Sequence, residues 1–307
     1  SSWTKNYSME GQSIKQSILL IVAYCSYALA WGQHPLTDQV IAQFEKDKNI
    51  DQAIQRMNTA IEQEAQDPLA HFTMGYLLKE QYKKNPTKDR QFQWREKAMI
   101  SFDDALKRNP DEKLKDNIHY AQRYIVSTYY NDALMQARGF QMGNDAAADA
   151  AFDYFKSWNQ KLKDPQSLGS LHIEFKKKKA ERYYEFWEQS DTSLVFPNHC
   201  IALYQEILKE DPTDCESLHN LAILYYNIGV YNIKKIDGDI EIDQLLQIQE
   251  EALRLFARAL PFAQNTFQDC PKNASQYKAL MFIQRSLGNE EEYKRLKAEA
   301  QKLYPNE

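Results

Sequence analysis

A chain of 307 residues with 43% apolar side chains has length enough for one large domain or two ordinary ones. Only 9 Gly and 10 Pro punctuate it, and no Val/Ile/Thr-rich alternating run stands out, which points to helix and away from sheet. The net charge of −5 argues against a nucleic-acid binder, which needs a clustered positive surface to displace counterions.

The first element is an apolar run, Ile18 to Trp31, preceded by Lys15 and followed by Gly32-Gln33. It is shorter than the roughly 20 apolar residues that cross a bilayer as a helix and fits the apolar segment of a secretory signal peptide. Ala28-Leu29-Ala30 permits cleavage before Trp31, and Ala30-Trp31-Gly32 permits it before Gln33. Residues 1–32 are therefore read as an export leader, with a buried N-terminal helix as the alternative. The remainder, 33–307, is expected to be periplasmic or secreted, without an integral membrane span; a cytoplasmic location is the other possibility. Beyond the leader stand Cys200, Cys215 and Cys270, an odd number without CxxC spacing, which indicates neither a zinc site nor a disulfide framework. A bridge between Cys215 and Cys270 stays open as the lesser alternative.

From residue 36 onward one spacing recurs. Ala53, Met57 and Ala60 stand at offsets of four and three. Ala98, Phe102 and Ala105 repeat them before Pro110, and Cys200, Tyr204 and Ile207 before Pro212. Ala252, Phe256 and Ala259 form a further copy, and Ala148, Phe152 and Phe155 a looser one. Such offsets line side chains on one helical stripe, and small residues on it let a neighbouring helix approach closely. An apolar helix precedes each clear copy: Phe72, Met74, Gly75 and Leu78 before the second, and Leu218, Leu221, Ala222 and Tyr225 before the copy at Ala252. Gly75 is placed where two helix backbones would touch.

These residues resemble the tetratricopeptide repeat (TPR). The resemblance implies an all-α fold in which antiparallel helix pairs stack into a right-handed superhelix. Met74-Gly75, Leu78, Ala98, Phe102, Ala105 and Pro110 carry it most fully, with Leu221-Ala222, Tyr225, Ala252, Phe256 and Ala259 close behind. Clear repeats occupy 36–110 and 171–270, an irregular helical section 111–170, and closing helices 275–304, all within a single domain. Leu78 and Ala98 stand 20 positions apart and Tyr225 and Ala252 stand 27, where a regular repeat has about nine. The extra residues are expected to lengthen both helices of each pair into projecting hairpins, with tips at Asn85-Pro86 and Asp237-Gly238-Asp239. The stretch from Ala259-Leu260-Pro261-Phe262 to Leu303 resembles the end of envelope-associated bacterial TPR proteins, with a turn at Gly288-Asn289.

No catalytic, cofactor-binding or metal-ligating constellation stands out. The six His include no i, i+4 pair, no glycine-rich phosphate loop occurs, and Asp103-Asp104 and Glu290-Glu291-Glu292 sit among other surface charges. The run Lys176-Lys177-Lys178-Lys179 reads as a solvated stretch of helix, with a patch for an anionic partner as the alternative. The TPR resemblance implies a concave groove lined by Leu69, Phe72, Tyr76 and Lys79 in one repeat and by Glu216, His219, Ile223, Tyr226 and Asn227 in another. Aromatic and mixed, that groove suits an apolar or extended peptide. The expectation is a non-catalytic adaptor for a protein or peptide. The alternative is a solute- or carbohydrate-binding uptake accessory, for which Trp158, Trp187 and Tyr183-Tyr184 are the aromatic candidates.

Overall fold

The structure, a computed structural model, describes residues 35–190, 194–236 and 240–305. The leader and the Asp237-Gly238-Asp239 turn lie outside them. Helices account for nearly all of the described residues, and no strand occurs among them. The chain divides into two compact units, and the division falls inside the section 111–170 that carries the weakest repeat signal: residues 1–128 with 161–164, and residues 129–160 with 165–307.

Unit 1 is built from α1 (Pro35–Asp47), α2 (Ile50–Gln63), α3 (Pro68–Lys84), α4 (Gln93–Leu106) and the first part of α5 (Glu112–Gly139). Local chemistry sets the boundaries. The Asn49 side chain accepts from the Gln52 amide to start α2, and Asp67 accepts from Leu69 to start α3, with Pro68 at the first helical position. Helix α3 packs against α1, α2 and α4, so every residue from Leu69 to Lys79 is buried. A helix apolar on all sides is one enclosed on all sides.

The repeat rhythm is the packing rhythm. Ala98, Phe102 and Ala105 are fully buried, as is Met57 between Ala53 and Ala60. What Gly75 meets is a ring and not a backbone: a Cβ there would lie 2.6 Å from Phe102 Cε1. The small residue makes room for the large one on the facing helix.

The tip of this hairpin departs from the expected form. Helix α3 is lengthened to Lys84, but α4 begins only at Gln93, and two 3₁₀ turns, Pro86–Lys88 and Arg90–Phe92, join them. Asp89 organises the turn. Its Oδ1 accepts from the Trp94 amide at 2.7 Å and its Oδ2 from Arg95 Nε at 2.7 Å. Arg95, itself buried, stacks on Tyr82 and Phe92 and donates to the Thr128 hydroxyl at 3.0 Å. Gln91 and Phe92 take positive φ, a conformation that L side chains adopt at a cost and that this pair holds in place.

Unit 2 comprises the rest of α5, then α6 (Ala146–Asn159), α7 (Leu168–Ser190), α8 (Val195–Glu210), α9 (Cys215–Lys234), α10 (Ile242–Asp269), α11 (Ala274–Ser286) and α12 (Glu290–Leu303). All nine rhythm residues of its three copies are buried. Helix α10 runs through Pro261, whose missing N–H leaves the Ala257 carbonyl without its helical donor. A capping box of Asn273 and Gln276 starts α11, and Gly288 at φ +79° turns the chain into α12.

Two sequence expectations for this unit need correction. Cys215 and Cys270 are bridged, joining the start of α9 to the end of α10 across 55 residues. They pair because the two ends of a helical hairpin lie side by side, and counting cysteines cannot show that. The second correction concerns register. Phe256 packs on Gly229, where a Cβ would lie 2.6 Å from its Cε1, so Gly229 rather than Ala222 is the counterpart of Gly75. Gly229 and Phe256 are 27 positions apart, the same separation as Gly75 and Phe102, so the two hairpins share one geometry.

Candidate functional site

The four residues Leu69, Phe72, Tyr76 and Lys79 are buried and do not line an open groove: Phe72 packs on Phe102, and α1 covers Tyr76. Val40, Ile41 and Phe44 close over Tyr76 and Leu77, leaving a cavity of only ≈ 20 Å³. The Lys79 ammonium lies 4.3 Å from the centre of the Tyr76 ring and 5.6 Å from that of Tyr124, and it bonds Glu80 at 2.8 Å. Burial holds its pKa below the usual lysine value.

The lysine run is not a solvated face either. Consecutive helical residues point about 100° apart, so four in a row reach different neighbours. Lys176 bonds Glu210 at 2.7 Å and Glu206 at 3.1 Å, both on α8. Lys177 bonds Asp214 and Glu216 at the head of α9, Lys178 bonds Glu181 on its own helix, and Lys179 bonds Asp149 on α6. Lys176 and Lys179 are buried. The run clips α7 to its three neighbours, so its charge is already matched within the fold.

An open concavity of unit 2 lies between the C-terminal halves of α7 and α9. It is a recess of ≈ 490 Å³ lined by Tyr184, Trp187 and Glu188 on one side and by Asn227, Val230, Tyr231, Lys234 and Lys235 on the other. Its floor is a chain of rings. Tyr184 meets Trp187 edge-on with centroids 5.7 Å apart, and Trp187 meets Tyr231 edge-on at 6.0 Å. Asn227 Nδ2 donates to the Tyr184 hydroxyl at 3.4 Å, and Lys235 Nζ sits 4.1 Å from the centre of the Tyr231 ring. Burial, helped by the Glu188 carboxylate, pushes the Tyr184 phenol above its ordinary pKa, so it stays a neutral donor. Trp187 is only 8% exposed, whereas Lys234 and Lys235 are open to solvent. The arrangement offers an apolar, aromatic seat with a polar rim.

Of the nine groove residues read from the sequence, Asn227 alone lines this recess. Glu216 is exposed but paired with Lys177 at 2.9 Å, and His219 Nε2 contacts Ser275 Oγ at 3.1 Å. Burial lowers the His219 pKa. Tyr226 packs its ring on Phe256 at 5.3 Å, and Ile223 is half-buried. Aligning the groove to Ala222, seven residues before Gly229, misses Val230 and Lys234, whereas Tyr231 and Lys235 fall outside the groove positions in either alignment. Of the aromatic candidates, Trp187 and Tyr184 do line the recess. Tyr183 is buried against Phe140 and stacked on His199, and Trp158 packs on Tyr129 and Tyr154.

Residues 203–237, from mid-α8 through α9, match the family model of the tetratricopeptide repeat. The chain carries a tetratricopeptide repeat. The TPR match therefore includes the α9 side of the recess. No curated protein matches the chain. Among solved structures, it is similar to human IFIT1 in a dimer with m7Gppp-AAAA, at 13% identity over 82% of this chain and 46% of that one, with a TM-score of 0.36. It thus spans less than half of the IFIT1 chain. It is also similar to PilW, described as a widely conserved type IV pilus biogenesis factor, at 14% identity, 89% and 94% coverage and a TM-score of 0.31. A third likeness is to the Naa15/Naa10 structure bound to HypK-THB, at 12% identity, 89% and 58% coverage and a TM-score of 0.22. Among the described residues, no helix is long and apolar enough to cross a membrane.

Proposed function

We propose that this TPR protein is a non-catalytic scaffold that binds a protein partner by seating an extended peptide segment in the recess between α7 and α9. The observation that carries the reading is the ring chain Tyr184–Trp187–Tyr231 at the floor of an open recess. Rings held edge-to-face by their neighbours lose little freedom on binding and serve as anchors, while Lys234 and Lys235 at the rim suit acidic side chains on the peptide. The net charge of −5 and the internal matching of the Lys176–Lys179 run favour protein over nucleic acid. A carbohydrate would want an open ring face to stack on, and Trp187 is only 8% exposed.

The Cys215–Cys270 bridge supports a home in an oxidising compartment, in keeping with an export leader over residues 1–32 and a cell-envelope or secreted location. Screening of a displayed peptide library tests the binding reading. Selected peptides should carry an apolar or aromatic anchor beside acidic residues, and Tyr231→Ala should weaken them at least tenfold, with Lys234→Glu/Lys235→Glu selecting against acidic ones. Enrichment of no peptide, together with a melting shift caused by oligosaccharides, would overturn it.

A further inference from the structure

Helix α10 (Ile242–Asp269) carries two apolar stripes, and among the described residues only one is buried. The inward stripe is Ala252, Phe256, Ala259 and Ala263, all buried. The second consists of Ile242, Leu246 and Leu253, which are 75%, 57% and 48% exposed, followed by the exposed Ala257. Offsets of four, seven and four set these residues on one line about 22 Å long. Single exposed apolar residues are ordinary, but large ones in line along a helix make a seam.

The charges beside the seam are ordered. Asp243 stands at its beginning, and Arg254 toward its end, where it pairs with Glu250 at 3.0 Å. Asp243 at one end and Arg254 at the other complement their own copy when that copy is turned end for end, while Glu250 in the middle is matched by its own Arg254. We infer that α10 pairs antiparallel with α10 of a second copy of this chain, about a two-fold axis between Gln249 and Glu250. Leu246 then faces the partner's Leu253, and Ile242 the partner's Ala257. Asp243 lies beside the partner's Arg254, and the symmetry repeats each contact. The contact is independent of the recess and stands whether or not a peptide binds there.

A seam of about four turns makes a modest interface, so the dimer should be reversible. Sedimentation equilibrium of the protein from low to high micromolar concentration should show a monomer–dimer equilibrium. Leu246→Glu/Leu253→Glu should leave a monomer throughout, with unchanged circular dichroism because both side chains are exposed. Asp243→Arg should weaken the dimer about tenfold, a ΔΔG of roughly 1.4 kcal/mol. Asp243→Arg/Arg254→Asp should restore it. A wild type that stays monomeric, which would leave the face to a different partner, overturns the inference. So does a dimer that survives the double glutamate change, or a charge swap that fails to restore.

Discussion

Glycine occurs at 75 and 229 because a phenylalanine ring occupies the space where a side chain would begin. Gly75→Ala and Gly229→Ala each put a Cβ 2.6 Å from ring carbon, so each should cost about 1–3 kcal/mol in urea denaturation. Phe102→Leu, mild by itself, should recover part of the Gly75→Ala loss, because the two changes share one contact. Strict additivity of the pair would show that the ring is not what Gly75 accommodates. The buried Cys200 has the opposite character. Its thiol donates to the Ala180 carbonyl at 3.2 Å, and burial pushes its pKa up to about 12, so it should resist alkylation until the protein unfolds.

At the scale of elements, unit 2 is held by ion pairs and one covalent link. Lys179 has a side chain only 7% exposed and Lys107 one 71% exposed, yet each bonds an aspartate at 3.0 Å or less. Lys179→Ala should cost about 1–3 kcal/mol, because a buried stem and a charged hydrogen bond are lost together. Lys107→Ala should fall within about 0.5 kcal/mol. Equal effects would mean that the lysine run does not clip helices. Two acids of this clip also set a pH dependence. The Lys176 bond holds the Glu210 carboxyl below its usual pKa. Burial would raise that of Asp214, but hydrogen bonds from Lys177 and Ser217 outweigh it and leave it lowered. A carboxylate depressed by folding adds stability above its unfolded pKa, and that stability is lost as pH falls through the folded value. Thermal scans between pH 6 and pH 3 should therefore show a melting temperature that falls with acid, and falls less steeply in Lys176→Met. The disulfide closes a 55-residue loop, so its reduction should cost about 4 kcal/mol in a guanidinium titration. A reduced protein with an unchanged midpoint would show that α9 and α10 stay paired without it.

For the molecule as a whole, the export reading has a direct check. Protein recovered from its native host should begin at Trp31 or Gln33 and carry Cys215 and Cys270 oxidised, as read by intact-mass and peptide mapping. A full-length, fully reduced protein would point to a cytoplasmic home and remove the argument from compartment.

The rhythm of Ala98, Phe102 and Ala105 and its copies determined the helical fold from sequence alone, since small residues on a stripe at offsets of four and three let a second helix approach closely and no strand-like run offers a sheet instead. The closing helices and their turn at Gly288 were legible for the same local reason. Three matters waited for the tertiary structure. Seven residues are almost two turns, so Ala222 and Gly229 present the same face, and only the partner ring of Phe256 chooses between them. That choice moved the site from Glu216 and His219 toward Val230 and Lys234. Whether Tyr76 is groove or core depended on where α1 came to rest, and whether Cys215 meets Cys270 depended on the length of a hairpin. Periodicity records which side of a helix is buried; what buries it, and at what height along the helix, is a property of the neighbours.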